Sequence, residues 1–69
     1  MKKVILEFTL NGSKHRYYRR TSVFGEAVVT TNRHSAKKLD ESDVPKVIKL
    51  LKEQFKENVD DIKQIEGDD

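Results

Sequence analysis

Val4, Leu6, Phe8 and Leu10 alternate with Lys3, Glu7 and Thr9, and the run ends directly on Asn11-Gly12. A period of two is the mark of a strand with one buried face. Asn-Gly, in which both residues tolerate positive φ, is the strongest short-range signal for a two-residue type I′ hairpin turn. The first third of the chain is therefore expected to fold as an antiparallel hairpin, with a return strand from Ser13 to about Arg20. Counting outward from the turn sets Leu10 against Ser13, Phe8 against His15, Glu7 against Arg16, Leu6 against Tyr17, Ile5 against Tyr18 and Val4 against Arg19. On that register the core face holds Val4, Leu6, Phe8, Leu10, His15 and Tyr17. The outer face holds Lys3, Ile5, Glu7, Thr9, Lys14, Arg16, Tyr18 and Arg20, four cations around an aromatic on two strands. A slip of one residue would exchange the two sets on the return strand.

Beyond the hairpin, Phe24-Gly25-Glu26 reads as a second turn. The β-branched stretch from Ala27 to Thr31 reads as a third strand, and the polar stretch 32–42 as a connection. Ser42, Asp43 and Pro45 announce a helix whose cap is Ser42, Asp43 or Val44. At about 100° per residue, Val44, Val47, Ile48, Leu51, Phe55, Val59, Ile62 and Ile65 fall within an arc of roughly 120°, which predicts one amphipathic helix over 43–66. A break at Asn58 is the open alternative. A fourth strand over 61–66 is the rival reading, disfavoured because it would point Ile62 and Ile65 to opposite faces. The expected fold is α+β: a three-stranded antiparallel sheet followed by one long C-terminal amphipathic helix (β-β-β-α) in a single domain. Its parts are sheet 2–31, connection 32–42, helix 43–66 and acidic tail 67–69. The expected core is Val4, Leu6, Phe8, Tyr17, Val28, Val47, Ile48, Leu51 and Phe55. A 24-residue helix runs about 36 Å and an eight-residue strand about 26 Å, so Val59, Ile62 and Ile65 would overhang the sheet. A homodimer through that stripe would cover them.

At 69 residues the chain is near the lower limit for a core without staples. It has no cysteine, which excludes disulfides and thiolate zinc sites. The longest apolar run, Val4-Ile5-Leu6, falls far short of a membrane span, and Glu7 interrupts what would otherwise begin a signal peptide. These features point to a cytoplasmic protein. Its charge is unevenly spread: residues 1–39 carry nine Lys/Arg and two acids, and residues 40–69 carry five Lys and ten acids. Partners should sense two surfaces of opposite sign.

Motifs for catalysis are lacking. His15 and His34 have no carboxylate or histidine at ligand spacing, so no metal site is expected. Ser13 and His15 lack a third member and an oxyanion loop. The acid pairs Asp40-Glu41 and Asp60-Asp61 stand in solvated stretches, and the glycines form no phosphate cradle. Lys46, Lys49, Lys52 and Lys56 suit a solvated helix face, with Lys49 and Glu53 as an i, i+4 pair. No cofactor is expected, and the chain is read as non-enzymatic. The site-like feature is His15-Arg16-Tyr17-Tyr18-Arg19-Arg20. Arginine presents a fork of donors to phosphate, tyrosine a stacking face, and a two-stranded ribbon fits the major groove. The candidate binding residues are Lys3, Lys14, Arg16, Tyr18, Arg20, Arg33, Lys37 and Lys38, for nucleic acid or a host protein. Tyr and Arg are equally the favoured residues of protein interfaces.

Tyr17-Tyr18, Gly25-Glu26, Thr30-Thr31, Ala36-Lys37-Lys38-Leu39 and the helix at Pro45 to Phe55 resemble small accessory proteins of Gram-positive phages, in which a sheet leads through a Thr…Ala-Lys-Lys-apolar connection into an amphipathic helix. The same stretch is more loosely similar to the amino-terminal arm-type DNA-binding domain of tyrosine integrases, a three-stranded sheet followed by one helix. That likeness covers residues 17–55 and implies DNA reading by the sheet through Arg16, Tyr18 and Arg20. The acidic carboxy-terminal segment departs from it. Small phage proteins also include inhibitors of host enzymes and defence complexes, such as anti-CRISPR proteins, so the resemblance equally implies a protein-binding inhibitor or adaptor.

Overall fold

Leu10 and Ser13 pair across Asn11-Gly12, whose φ values of 51° and 79° are those of a turn with both central residues left-handed. The computed structural model describes residues 3–67. Lys2, placed at the start of the expected sheet, and the tail residues Asp68 and Asp69 lie outside the described residues. Five strands and one helix follow in the order β1 (Lys3–Leu10), β2 (Ser13–Thr21), β3 (Ala27–Thr30), β4 (Leu39–Asp40), α1 (Val44–Phe55) and β5 (Val59–Gly67). The fold is α+β with an antiparallel sheet. β1 is its centre: β5 pairs along one edge from Lys3 to Leu10, while β2 and β4 share the other, at Glu7–Leu10 and Lys3–Val4 respectively. β3 pairs with the outer side of β2. Among the described residues no helix is long and apolar enough to cross a membrane.

Two expectations about architecture are corrected. The sheet has five strands rather than three, and the helix ends at Phe55 rather than running to residue 66. Lys56 takes φ 52° at the helix C-cap, and a single 3₁₀ turn over Lys56–Asn58 redirects the chain into β5. The apolar residues that fitted a helical stripe are instead used on two faces of a strand. Val59 lies opposite Leu10, Ile65 lies opposite Ile5, and a bulge sits between the Glu7–Lys63 and Thr9–Asp60 pairs, where Asp61 has φ 49°. One extra residue restores the phase, so Val59 and Ile62, three apart, both pack against the core. Val59, Ile62 and Ile65 are thus strand residues, and the overhang that called for a dimer does not arise.

A second bulge revises the hairpin register. Lys14 and His15 together stand opposite Thr9, with His15 at φ 62°, so Phe8 faces Arg16 and Glu7 faces Tyr17. The residues from Arg16 to Arg19 therefore change face relative to the regular count. Tyr18 enters the core at 4% exposure, Arg16 comes to the helix side beside Phe8, and His15 is exposed. A third irregularity, at Arg19, lets Arg20 face Val28 and Thr21 face Ala27.

The core lies between the sheet and α1. It contains Val4, Leu6, Phe8, Val47 and Leu51 as expected, joined by Tyr18, Ala27, Leu39 and Val44, with Ile48 and Phe55 partly buried against it. Tyr17 and Val28 are not among its members. The Tyr18 hydroxyl satisfies itself on Thr21 Oγ1 at 2.5 Å. α1 starts after Asp43, with Pro45 in its first turn where a missing N–H is tolerated. Near its end Gln54 grips the backbone of Ala27 twice: its Oε1 accepts from Ala27 N at 2.6 Å, and its Nε2 donates to Ala27 O at 3.1 Å. A side-chain amide thereby takes the place of a further strand at the β3 edge.

Candidate nucleic-acid interface

The face of the sheet away from α1 is set by the odd residues of β1. Ile5 is 5% exposed although it lies outside the helix-side core, because Ile65 stands opposite it and the connection after β3 crosses it. Arg33, His34, Ala36, Lys38 and Glu66 surround Ile5 in a groove of about 480 Å³. A Cβ built on Gly67 would meet Ile5 and the Lys38 side chain at 3.2 Å, which shows how closely Lys38 lies over the strand. The connection is held by Asn32, whose side-chain Oδ1 accepts from His34 N at 2.9 Å, and by Lys37 N, which donates to Tyr18 O at 3.0 Å. That last bond sets Lys37 alongside β2 next to Arg19. Arg33 reaches the Glu66 carbonyl with Nη2 at 3.5 Å. Arg33 and Lys38 thus share the groove over Ile5, and Lys37 is tied to β2 next to Arg19. Arg19, Arg20, Arg33, Lys37 and Lys38, here termed the ridge, are all exposed.

Below the ridge, Tyr17 is 7% exposed and donates its hydroxyl to Glu7 Oε2 at 2.8 Å, while His15 Nδ1 stands 3.4 Å from the same oxygen. The Tyr17 hydrogen bond holds the Glu7 carboxyl below its ordinary pKa, outweighing the opposing effect of burial, with His15 and Lys63 acting in the same direction as Tyr17. Tyr17 is raised in turn, chiefly by its bond to Glu7. For Glu7 the unfolded chain holds the proton to higher pH than the folded one. This stabilisation is therefore present above the ordinary carboxylate range and is lost as pH falls through the folded value. Tyr17 works in the opposite sense, and its share fades as pH rises above about 10. Tyr17→Phe should cost about 1 to 2 kcal/mol at pH 7, and urea unfolding should show the gap to wild type narrowing as pH falls from 7 to 3. An equal gap at both pH values would mean that Tyr17 does not act through the Glu7 charge.

Of the residues singled out in the sequence, Arg33 and Lys38 share the groove over Ile5, Lys37 is bonded through its backbone to Tyr18 of β2, and Arg20 stands exposed further along the same strand, opposite Val28. Lys3 is bonded to Asp40 Oδ1 at 2.5 Å, and Lys14 sits apart in the bulge beside Thr9, His15, Asp61 and Lys63. Arg16 lines a helix-side groove with Leu10, Val29 and Thr30. Tyr18 is withdrawn into the core, so the expected Arg16-Tyr18-Arg20 stripe is not formed. Arg19 and His34 were not among the chosen residues. Arg19 lay in the basic cluster but was paired with Val4 by the regular register, and only the bulge turns it outward. Among the described residues no three His, Cys, Asp or Glu side chains gather as metal ligands. Asp60 and Asp61 line a different groove with Ile48 and Lys52, whereas Glu66 shares the groove over Ile5 with Arg33 and Lys38. No protein-family model matches the chain, and no curated protein and no solved structure matches it.

Proposed function

We propose that this chain is a non-enzymatic nucleic-acid-binding module, as its looser likeness to the arm-type domain of tyrosine integrases implies, that grips the phosphate backbone with the ridge of Arg19, Arg20, Arg33, Lys37 and Lys38. The observation that carries the reading is the backbone bond from Lys37 to Tyr18, which brings the cations of a loop beside those of a strand. Arginine forks and lysine point charges alternate on that surface, as suits phosphate oxygens. Both tyrosines are buried, so neither offers a stacking platform. Contact through phosphates alone positions a protein without reading bases, and binding should be sequence-independent.

Fluorescence anisotropy with a labelled 20-base-pair duplex tests this. Five phosphate contacts imply a fall of about 500-fold in affinity between 50 and 200 mM salt. Micromolar binding at the lower concentration with that steep loss is the expected result, and no binding at 50 mM would reject the proposal. A second reading, a module that docks on another protein, draws on a separate feature: Val23 and Phe24 stand exposed at the β2–β3 turn beside arginines, a composition shared with interface hot spots.

A further inference from the structure

Residues 22–26 close the β2–β3 hairpin as a firmly bonded turn. Ser22 N donates to Glu26 O at 2.7 Å and Gly25 N to Ser22 O at 3.0 Å. Ser22 Oγ accepts from the backbone N–H groups of Phe24 and Glu26, each at 3.2 Å. Gly25 takes φ 81°, which costs a residue without Cβ little. This polar frame holds Val23 and Phe24 at 93% and 86% exposure. Such positions ordinarily carry Gly, Asn, Asp, Ser or Pro, and neither apolar side chain is buried against this fold. The turn presents a fixed apolar tip, and fixing a contact beforehand lowers the entropy cost of binding.

The molecule also carries a receptor of matching character. Between α1 and β5 a groove of about 290 Å³ is lined by Ile48, Val59 and Ile62, with Lys52, Asp60 and Asp61 around them. The three aliphatic residues are half-buried, and the three charged ones are exposed. The tip brings charges of its own: Glu26 lies within the turn, and Arg20 faces Val28 one step from the terminal Thr21–Ala27 pair of the hairpin. We propose that Phe24 of one chain docks in the α1/β5 groove of a second copy, with Arg20 directed to Asp60 and Asp61 and Glu26 to Lys52. Apolar surface then meets apolar surface and each sign meets its opposite, a bipolar match that an anionic membrane or a phosphate backbone would not offer to Glu26.

Tip and groove are different surfaces, so two chains exchange tips about a two-fold axis or add serially. In both cases the average mass rises with concentration. One turn in one groove falls below a standard interface, and self-association is expected on the order of 100 μM. Sedimentation equilibrium of the whole chain from 10 to 500 μM tests the proposal. Wild type should exceed the monomer mass. Phe24→Asp should lower the association constant about tenfold or more with an unchanged circular dichroism spectrum. Glu26→Lys should weaken association, and Glu26→Lys combined with Lys52→Glu should restore it. A monomeric mass throughout would overturn the proposal and leave the tip to a different partner. Association that survives Phe24→Asp would also overturn it, because copies would then meet elsewhere, for example along the outer edge of β5.

Discussion

Removing residues 59–69 is expected to unfold the chain rather than shorten it. β5 covers one entire edge of β1, pairing from Lys3–Gly67 to Leu10–Val59, and it supplies Val59 and Ile62 to the helix-side core and Ile65 to the opposite face over Ile5. Without it, the buried residues Val4 to Leu6 would lie on a strand with an open edge. A domain of this length holds about 3 to 10 kcal/mol in total. Losing three apolar side chains, each worth about 1 to 2 kcal/mol when half-buried, together with a strand's ladder, is comparable to that reserve. Far-UV circular dichroism of the 1–58 chain should show no cooperative thermal transition. A retained transition near the wild-type midpoint would mean that the segment is an appendage, as a helix overhanging the sheet would have been.

Leu51→Ala should cost about 2 to 5 kcal/mol, a large part of the same reserve, because Leu51 is wholly buried in the cluster that also holds Leu6, Phe8 and Tyr18, and a rigid core leaves the cavity open. Phe55→Ala should cost less, since Phe55 is only half-buried at the last turn of α1. Urea unfolding of both variants gives the comparison. A Leu51→Ala midpoint equal to wild type would show that the apolar face of α1 does not meet the sheet as described.

What could be read from the sequence follows from where the physics is local. The Asn11-Gly12 turn, the core face of β1 and the start of the helix at Asp43 to Pro45 each rest on residues within a few positions of one another, and all three are found, whereas the end of the helix, expected at residue 66, falls at Phe55. The bulges do not announce themselves: His15 and Asp61 take positive φ without being glycine, and each shifts the phase of a strand by one residue. That shift exchanged Tyr17 with Tyr18 and moved Arg16 off the cationic face. It also let Val59 and Ile62, spaced as on a helix, share one face of a strand. β5 itself depends on pairing with a strand about fifty to sixty residues earlier, which hydrophobic period cannot reveal. The cations of the candidate site were visible one by one in the sequence. Their convergence was not, because it depends on the connection crossing Ile5 and bonding to Tyr18.

The location of phosphate contact is tested most directly by the slope of log K against log salt for duplex binding, measured for wild type and two double variants. Each phosphate contact contributes about −0.9, so wild type should show about −4.5 and Arg19→Ala/Arg20→Ala about −2.7. Lys46→Ala/Lys49→Ala, which removes two exposed cations from α1, should leave the wild-type slope unchanged. A slope that falls equally in both variants, or only in the helix variant, would contradict the placement of binding on the ridge.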